Sequence, residues 1–325
     1  MIRRGRILRK NNNIRDMISE NQLSMKDMIQ PLFIIDGKNK REKIDSMEGI
    51  ERKTIDLQLK DIENLVSLGL RSVIIFPSID ERKKTKKANE ALNPKGLIPK
   101  AIKEIKKNFP ELVLITDIAL DPYNSDGHDG ILKDGKILND KTVEILVKQA
   151  VLHAKCGADF VAPSDMMDGR VYEIRKKLDD EKFNYVGIIS YSAKYASSLY
   201  GPFRDALNST PKTGDKKSYQ INPANCNEAI KEVLDDEIEG ADMVMIKPAI
   251  FYLDIITKVK NETYLPVVAY QVSGEYSMIK NASKNKILDL DSAIIESLLS
   301  IKRSGADLII SYFTQYIAQK KIINP

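Results

Sequence analysis

GADFVAPS at 157–164, GADMVMIKP at 240–248 and GADLIISY at 305–312 repeat one pattern: a glycine, a small residue, an acid, then a short apolar run. Each repeat follows an amphipathic helical stretch. Before the first, Val143, Leu146, Val147, Ala150, Val151 and Ala154 keep the i, i+3, i+4, i+7 spacing of a buried stripe. Asp140 stands where the N-cap of that helix is expected. The glycine then ends the helix and a short loop feeds a strand, which is the signature of βα units in series. Apolar runs that read as strands occur at 31–35, 72–77, 112–119, 159–163, 185–190, 242–247, 266–273 and 307–312. Eight strands with helical patterns between them predict a (β/α)8 TIM barrel over 31–325, preceded by an extended N-terminal arm over 1–30. A doubly wound sheet is the alternative, but no glycine-rich phosphate loop follows the first strand.

The composition narrows the function. Of 325 residues, 42% are hydrophobic and 30% charged, as in a soluble globular protein with a sizeable core. No apolar stretch reaches the roughly 18–20 residues of a membrane span. The opening MIRRGRILRKNNN is basic without an apolar core, so it is not a secretory signal, although an Arg-rich transit peptide shares that character. The net charge of +5 is spread over lysines without interleaved aromatics, which argues against nucleic acid. Cys156 and Cys226 lie far apart without metal-ligand spacing, which fits a reducing compartment; a cytoplasmic location is expected.

A barrel places its active site at the C-terminal ends of its strands. Those positions hold Asp117, Ser164 and Asp165, Tyr191 to Lys194, Lys247, Ser273 and Tyr312, so six of the eight strands end in polar or ionisable groups. Lys247 is the most informative. It ends an apolar run that reads as buried on both faces, where an unpaired ammonium costs roughly several kcal/mol. Shedding its proton makes a nucleophile suited to Schiff-base chemistry, whereas pairing it would make a structural lysine. Lys194 is expected to face it across the barrel mouth, where like charge and enclosure favour neutral amines. One lysine suggests a class I aldolase; two suggest a site that holds two carbonyl substrates. A catalytically dead barrel serving as a scaffold is the non-enzymatic alternative.

The motifs TDIALDPYNSDGHDGIL (116–132), APSDMMDGRV (162–171), SYSAKYASSLYGPFRDA (190–206), NPANCNEAIKE (222–232), MIKPAIFYLD (245–254) and YQVSGEYSMI (270–279) resemble the porphobilinogen synthase (5-aminolevulinate dehydratase) family along essentially the whole chain. The family condenses two 5-aminolevulinate molecules to porphobilinogen with loss of two waters, in tetrapyrrole (heme) biosynthesis. The resemblance implies that Lys247 binds the first substrate and Lys194 the second, each as a Schiff base. It implies that Ser273 and Tyr312 hold the first carboxylate. Arg204, Lys216 and Gln220 would hold the second, from a mobile lid after strand five. Asp117, with Ser164 and Asp165, would orient the amino group and assist proton transfer.

Many members of the family carry three zinc-binding cysteines in the loop after strand three. Here the matching positions are Ala119, Asp121 and Asp129, which resemble the aspartate-rich, zinc-independent branch. Catalytic zinc is therefore not expected, since zinc prefers thiolate and imidazole. Asp121 and Asp129 could ligate a metal or could bind a neighbouring amine or water. His128 in the same loop is expected to position rather than ligate. Glu232 matches a glutamate that binds an activating Mg²⁺ outside the active site, an allosteric arrangement; an exposed helix glutamate is the alternative. Lys216 stands where the family usually has arginine, keeping the charge and losing the planar fork. The likeness of the first thirty residues to the family's arm implies a homo-oligomer, an octamer.

Overall fold

The computed structural model describes residues 3–323. Eight parallel strands form its centre: β1 (Met28–Ile35), β2 (Ser72–Pro77), β3 (Val113–Ile118), β4 (Phe160–Pro163), β5 (Gly187–Lys194), β6 (Met243–Lys247), β7 (Val267–Gln271) and β8 (Leu308–Ser311). Each pairs with the next in sequence, and β8 closes on β1 through Met28↔Ile309 and Ile29↔Ile310. The result is the expected closed (β/α)8 barrel. A hairpin of Arg41–Lys43 with Glu51–Thr54 extends the sheet from β1.

A short helix α1 (Asn12–Met17) lies before the barrel. The others follow the strands: α2 (Ile55–Ser67), α3 (Leu97–Asn108), α4 (Asn139–Cys156), α5 (Arg170–Asp180), α6 (Gly201–Leu207), α7 (Asn227–Ile238), α8 (Leu253–Glu262), α9 (Ser273–Lys284), α10 (Leu290–Arg303) and α11 (Thr314–Lys320). The stripe on α4 is buried at Leu146, Ala150, Val151 and Ala154 as its spacing predicts. Its N-cap, however, is Leu138, and Asp140 is the second residue of the helix, in its first turn near the dipole's positive end.

The repeated glycine–alanine–acid pattern has a physical cause. Gly157, Gly240 and Gly305 take φ values of 107°, 101° and 113°, the left-handed conformation that ends a helix without a Cβ penalty. Ala158, Ala241 and Ala306 are buried. Asp159, Asp242 and Asp307 then staple an even-numbered strand to the preceding odd one. Each donates its backbone N–H to a carbonyl, of Leu114, Ile188 and Val267 respectively, at 2.8–3.0 Å. Each also accepts the N–H of that same residue on its carboxylate, at 2.7 Å in all three cases.

Two boundaries differ from the sequence reading by more than two residues. β1 begins at Met28 rather than 31, with Gln30 buried and its Nε2 donating to the Pro31 carbonyl at 2.8 Å. β5 runs on to Lys194, four residues past its apolar stretch, with every residue from Ile188 buried. The chain before β1 carries exposed Ile7, Leu8, Met17 and Ile18, and neither Gly5–Arg9 nor α1 buries a residue.

Candidate active site

Strand ends, one loop and one covering segment build the site. Asp117 lies one residue before the end of β3, Ser164 follows β4, Lys194 ends β5 and Lys247 ends β6. Arg204 comes from α6, Asp121 and Asp129 from the loop after β3, and Lys216 and Gln220 from the segment 208–221. These residues line one enclosed cavity together with Tyr200 and Phe203.

The two lysines are neighbours rather than opposite each other. Lys247 is the register partner of Lys194 on the adjacent strand, as consecutive strands of a closed barrel must be. Their proximity nevertheless has the expected electrostatic effect on Lys247. Its amine is lowered to about 7, first by burial and then by the Lys194 charge, against the pull of Asp117, Asp121 and Asp129. Its Nζ sits among four rings, 4.5 Å from the centroid of Tyr270, 4.8 Å from Phe203, 5.1 Å from Tyr191 and 5.2 Å from Tyr200.

Lys194 has different company. Its Nζ donates to the carbonyl oxygen of Ser164 and lies 3.2 Å from Asp129 Oδ1. Asp117 is pushed up to about 7 by burial and by Asp121, with Lys247 and Lys194 opposing. A carboxyl and an amine that both titrate near neutrality therefore share one enclosure, an arrangement suited to proton exchange. Asp165 is fully buried, and burial pushes its carboxyl up to about 6, with Arg170 opposing.

The segment 208–221 closes over this centre. Lys216 Nζ lies 2.8 Å from Asp129 Oδ2 and 3.5 Å from Asp121 Oδ2. Burial alone would raise Asp129, but the Lys194 and Lys216 ammonium groups outweigh it and hold its carboxyl well below the usual range. His128 positions the cover, as expected: it donates from Nε2 to the Thr213 carbonyl at 2.9 Å and meets the Tyr219 hydroxyl at Nδ1 at 3.1 Å. In this closed arrangement the cavity is about 20 Å³, room for roughly one water.

The remaining sequence-derived residues fall into three groups. Ser273 and Tyr312 sit behind the ring cage: Ser273 Oγ accepts the Phe203 N–H at 3.0 Å, and the Tyr312 hydroxyl meets that of Tyr270 at 2.8 Å. Arg204 pairs with no carboxylate among the described residues and lies 6.0 Å from the Tyr200 centroid, while Gln220 keeps a buried Oε1 without a partner there. Glu232, on α7, does not line the enclosed cavity but a second one of about 310 Å³, with Asp168 and Glu228, which Gln220 also borders. Sequence reasoning missed the rings of Tyr200, Phe203 and Tyr270, although all three lie inside the quoted motifs. It also missed Glu275, whose buried carboxylate accepts the N–H groups of Val272, Ala249 and Ile250 and so ties the start of α9 to the loop after Lys247.

The ligand chemistry of the two candidate metal positions differs. At Asp121 and Asp129 two carboxylates already face two ammonium groups, so a divalent cation would meet like charge. These residues, as arranged, do not fit a metal. Glu232 is pushed up by burial, with Asp236, Asp168 and Asp235 adding and Arg170 opposing, so a cation beside it would relieve a real cost. Among the described residues no group of three or more His, Cys, Asp or Glu side chains is placed to hold a metal ion.

Comparison with known proteins agrees with this geometry. The sequence pattern of the family described as "Delta-aminolevulinic acid dehydratase" matches residues 2–320. A protein of that description from Chlamydia pneumoniae is 51% identical over 98% of this chain and 96% of its own. One from Bradyrhizobium diazoefficiens is 50% identical over 98% and 90%. The crystal structure of the Toxoplasma gondii delta-aminolevulinic acid dehydratase (porphobilinogen synthase), in complex with the reaction product porphobilinogen, superposes with a TM-score of 0.97 at 44% identity. It covers 98% of this chain and 92% of that one.

Proposed function

The chain belongs to the delta-aminolevulinic acid dehydratase family, and from that premise we propose which of its residues carry each part of the reaction. The protein is a lyase that condenses two molecules of 5-aminolevulinate to porphobilinogen, losing two waters, in porphyrin and heme biosynthesis. The observation that carries the residue assignment is the in-register pair Lys194 and Lys247, with one amine titrating near neutrality beside a carboxyl that does the same. A class I aldolase needs only one such lysine.

Lys247, as the free amine, attacks the ketone of the first substrate; the carbinolamine loses water and leaves a Schiff base. Lys194 holds the second substrate in the same way. Asp117 accepts and returns the protons that these additions and eliminations release, and Ser164 and Asp165 orient the substrate amino group. The hydroxyls of Ser273 and Tyr312 receive the first carboxylate. Arg204 and Gln220 receive the second, joined by Lys216 once it leaves Asp121 and Asp129. Substrate entry requires the segment 208–221 to lift, because the closed cavity holds neither substrate.

We further propose an activating Mg²⁺ on Glu232, outside the active site, and no catalytic zinc, since the loop of Asp121 and Asp129 offers no thiolate. Bound there, Mg²⁺ would supply charge compensation, with Glu232 as its direct ligand and water as the rest of its shell. The exposed apolar residues of the arm support docking on a second copy of the chain, and with it a homo-octamer. No helix among the described residues is long and apolar enough to cross a membrane, and Cys156 and Cys226 are both free; we propose a cytoplasmic location.

The direct test is pyrrole formation from 5-aminolevulinate. Wild-type protein should form the pyrrole with and without a zinc-selective chelator. Lys247→Ala should lose the activity while keeping its circular dichroism spectrum. A Lys247→Ala protein of undiminished activity would remove the assignment.

A further inference from the structure

Beside the site lies a buried charge cluster that the scheme above leaves without a role. Arg170, the first residue of α5, is only 2% exposed. Its guanidinium donates to the Met167 carbonyl at 3.2 Å, to Ser190 Oγ on β5 at 3.2 Å, and to Asp236 Oδ1 on α7 at 3.4 Å. Ser190 Oγ in turn donates to Asp236 Oδ2 at 2.6 Å, so strand and helix grip the guanidinium together. Its Nε faces Asp165 Oδ2 at 3.8 Å, and neither of these two buried atoms has a hydrogen-bond partner among the described residues. The other Asp165 oxygen accepts the Met167 N–H at 2.8 Å.

A carboxylate this enclosed keeps its charge only where an opposite charge compensates for the lost water. Around Asp165 those charges are Arg170 and, more weakly, Lys194. Arg170 itself faces Asp236, Asp165, Glu232 and Glu239, and its position therefore depends on the acids of α7 and the turn after it. Asp165 is the member next to the chemistry, since its neighbour Ser164 lines the cavity; the others act through Arg170.

We propose that Arg170 is a positioning residue for the condensation: anchored by Asp236 and Ser190, it holds Asp165 in place and ionised at the barrel mouth, making α7 a working part of the site. The inference rests on the role given above to Asp165 in orienting the amino group and moving protons. It gives Ser190 and Asp236 a purpose that packing alone does not require.

The test measures kcat and KM for pyrrole formation against pH in Arg170→Gln, Arg170→Lys and Ser190→Ala, with thermal melting and borohydride capture of substrate on Lys247 as companions. Loss of the guanidinium favours the protonated Asp165, so the acid limb of kcat in Arg170→Gln should move to higher pH by roughly one unit. Arg170→Lys should recover part of that shift. Ser190→Ala, which removes only a hydroxyl, should show a smaller shift of the same sign, and it decides the matter if Arg170→Gln does not fold. KM at the plateau should stay within about twofold, and capture on Lys247 should persist. Profiles that superimpose on wild type while the melting temperature falls would make the cluster structural only and overturn the proposal. A wild-type protein that forms no pyrrole would instead overturn the functional reading beneath it.

Discussion

At Lys247 opposing influences act on a single proton. Four aromatic faces within 4.5–5.2 Å favour the ammonium form. Complete burial and the neighbouring Lys194 favour the amine and lower it to about 7, against the pull of the nearby aspartates. The lysine and its acids were legible in the sequence because strand ends in a barrel are predictable. The ring cage was not, since Tyr200 and Phe203 arrive from the turn before α6 and from α6 itself, whose approach to β6 no local pattern encodes. Lys216 shows the same limit. Its correspondence to an arginine was visible, but its grip on Asp121 and Asp129 was one of several open alternatives. Replacing it with arginine should restore a bidentate grip on the second carboxylate, on the order of 1 kcal/mol. The substrate concentration at half-maximal rate should fall several-fold. An unchanged or higher value would mean that the residue at this position serves the two aspartates alone.

Among elements, the paired strands β3–β4, β5–β6 and β7–β8 share one device, the aspartate that both donates to and accepts from the same residue on the preceding strand. The repeat was plain in the sequence; its cause needed the register. Asp159 and Asp307 also pair with Lys106 and Lys260, whereas no lysine or arginine pairs with Asp242 among the described residues. Asp242→Ala therefore isolates the staple. It should cost about 1 kcal/mol through the N–H of Ile188, a buried residue, read as a lower denaturant midpoint at unchanged slope. No change in midpoint would mean that water replaces the carboxylate without loss. Placing the two lysines on opposite sides of the mouth was an error of the same kind: β5 and β6 are consecutive, and closure makes consecutive strands neighbours. The end of β5 was missed because its last residues are polar yet buried, serving the site instead of the core.

The whole molecule joins a closed barrel to a leading segment with exposed apolar side chains and to a second cavity at Glu232, which Gln220 of the covering segment also lines. If Mg²⁺ binds at Glu232, it acts from a distance, by favouring a larger assembly. Mg²⁺ should then raise both turnover and the sedimentation coefficient of the wild-type protein. Glu232→Ala should lose both responses and retain its basal turnover. A Glu232→Ala protein that still sediments faster with Mg²⁺ would place the ion elsewhere. The barrel itself was fully legible, because eight apolar runs at βα spacing admit few topologies. An assembly is suggested only through family resemblance, since a partner surface leaves no periodic trace in one chain.

The central claim is that Lys247 attacks substrate as a free amine. Borohydride reduction in the presence of 5-aminolevulinate, followed by peptide mapping across a pH series, tests it directly. Deprotonation exposes the nucleophile, so the initial capture rate, corrected for the pH dependence of the reductant itself, should rise through about pH 7 and level off above it, with label on the peptide that contains Lys247. Label found only on other peptides, or a capture rate still climbing toward the range of an ordinary lysine, would contradict the account.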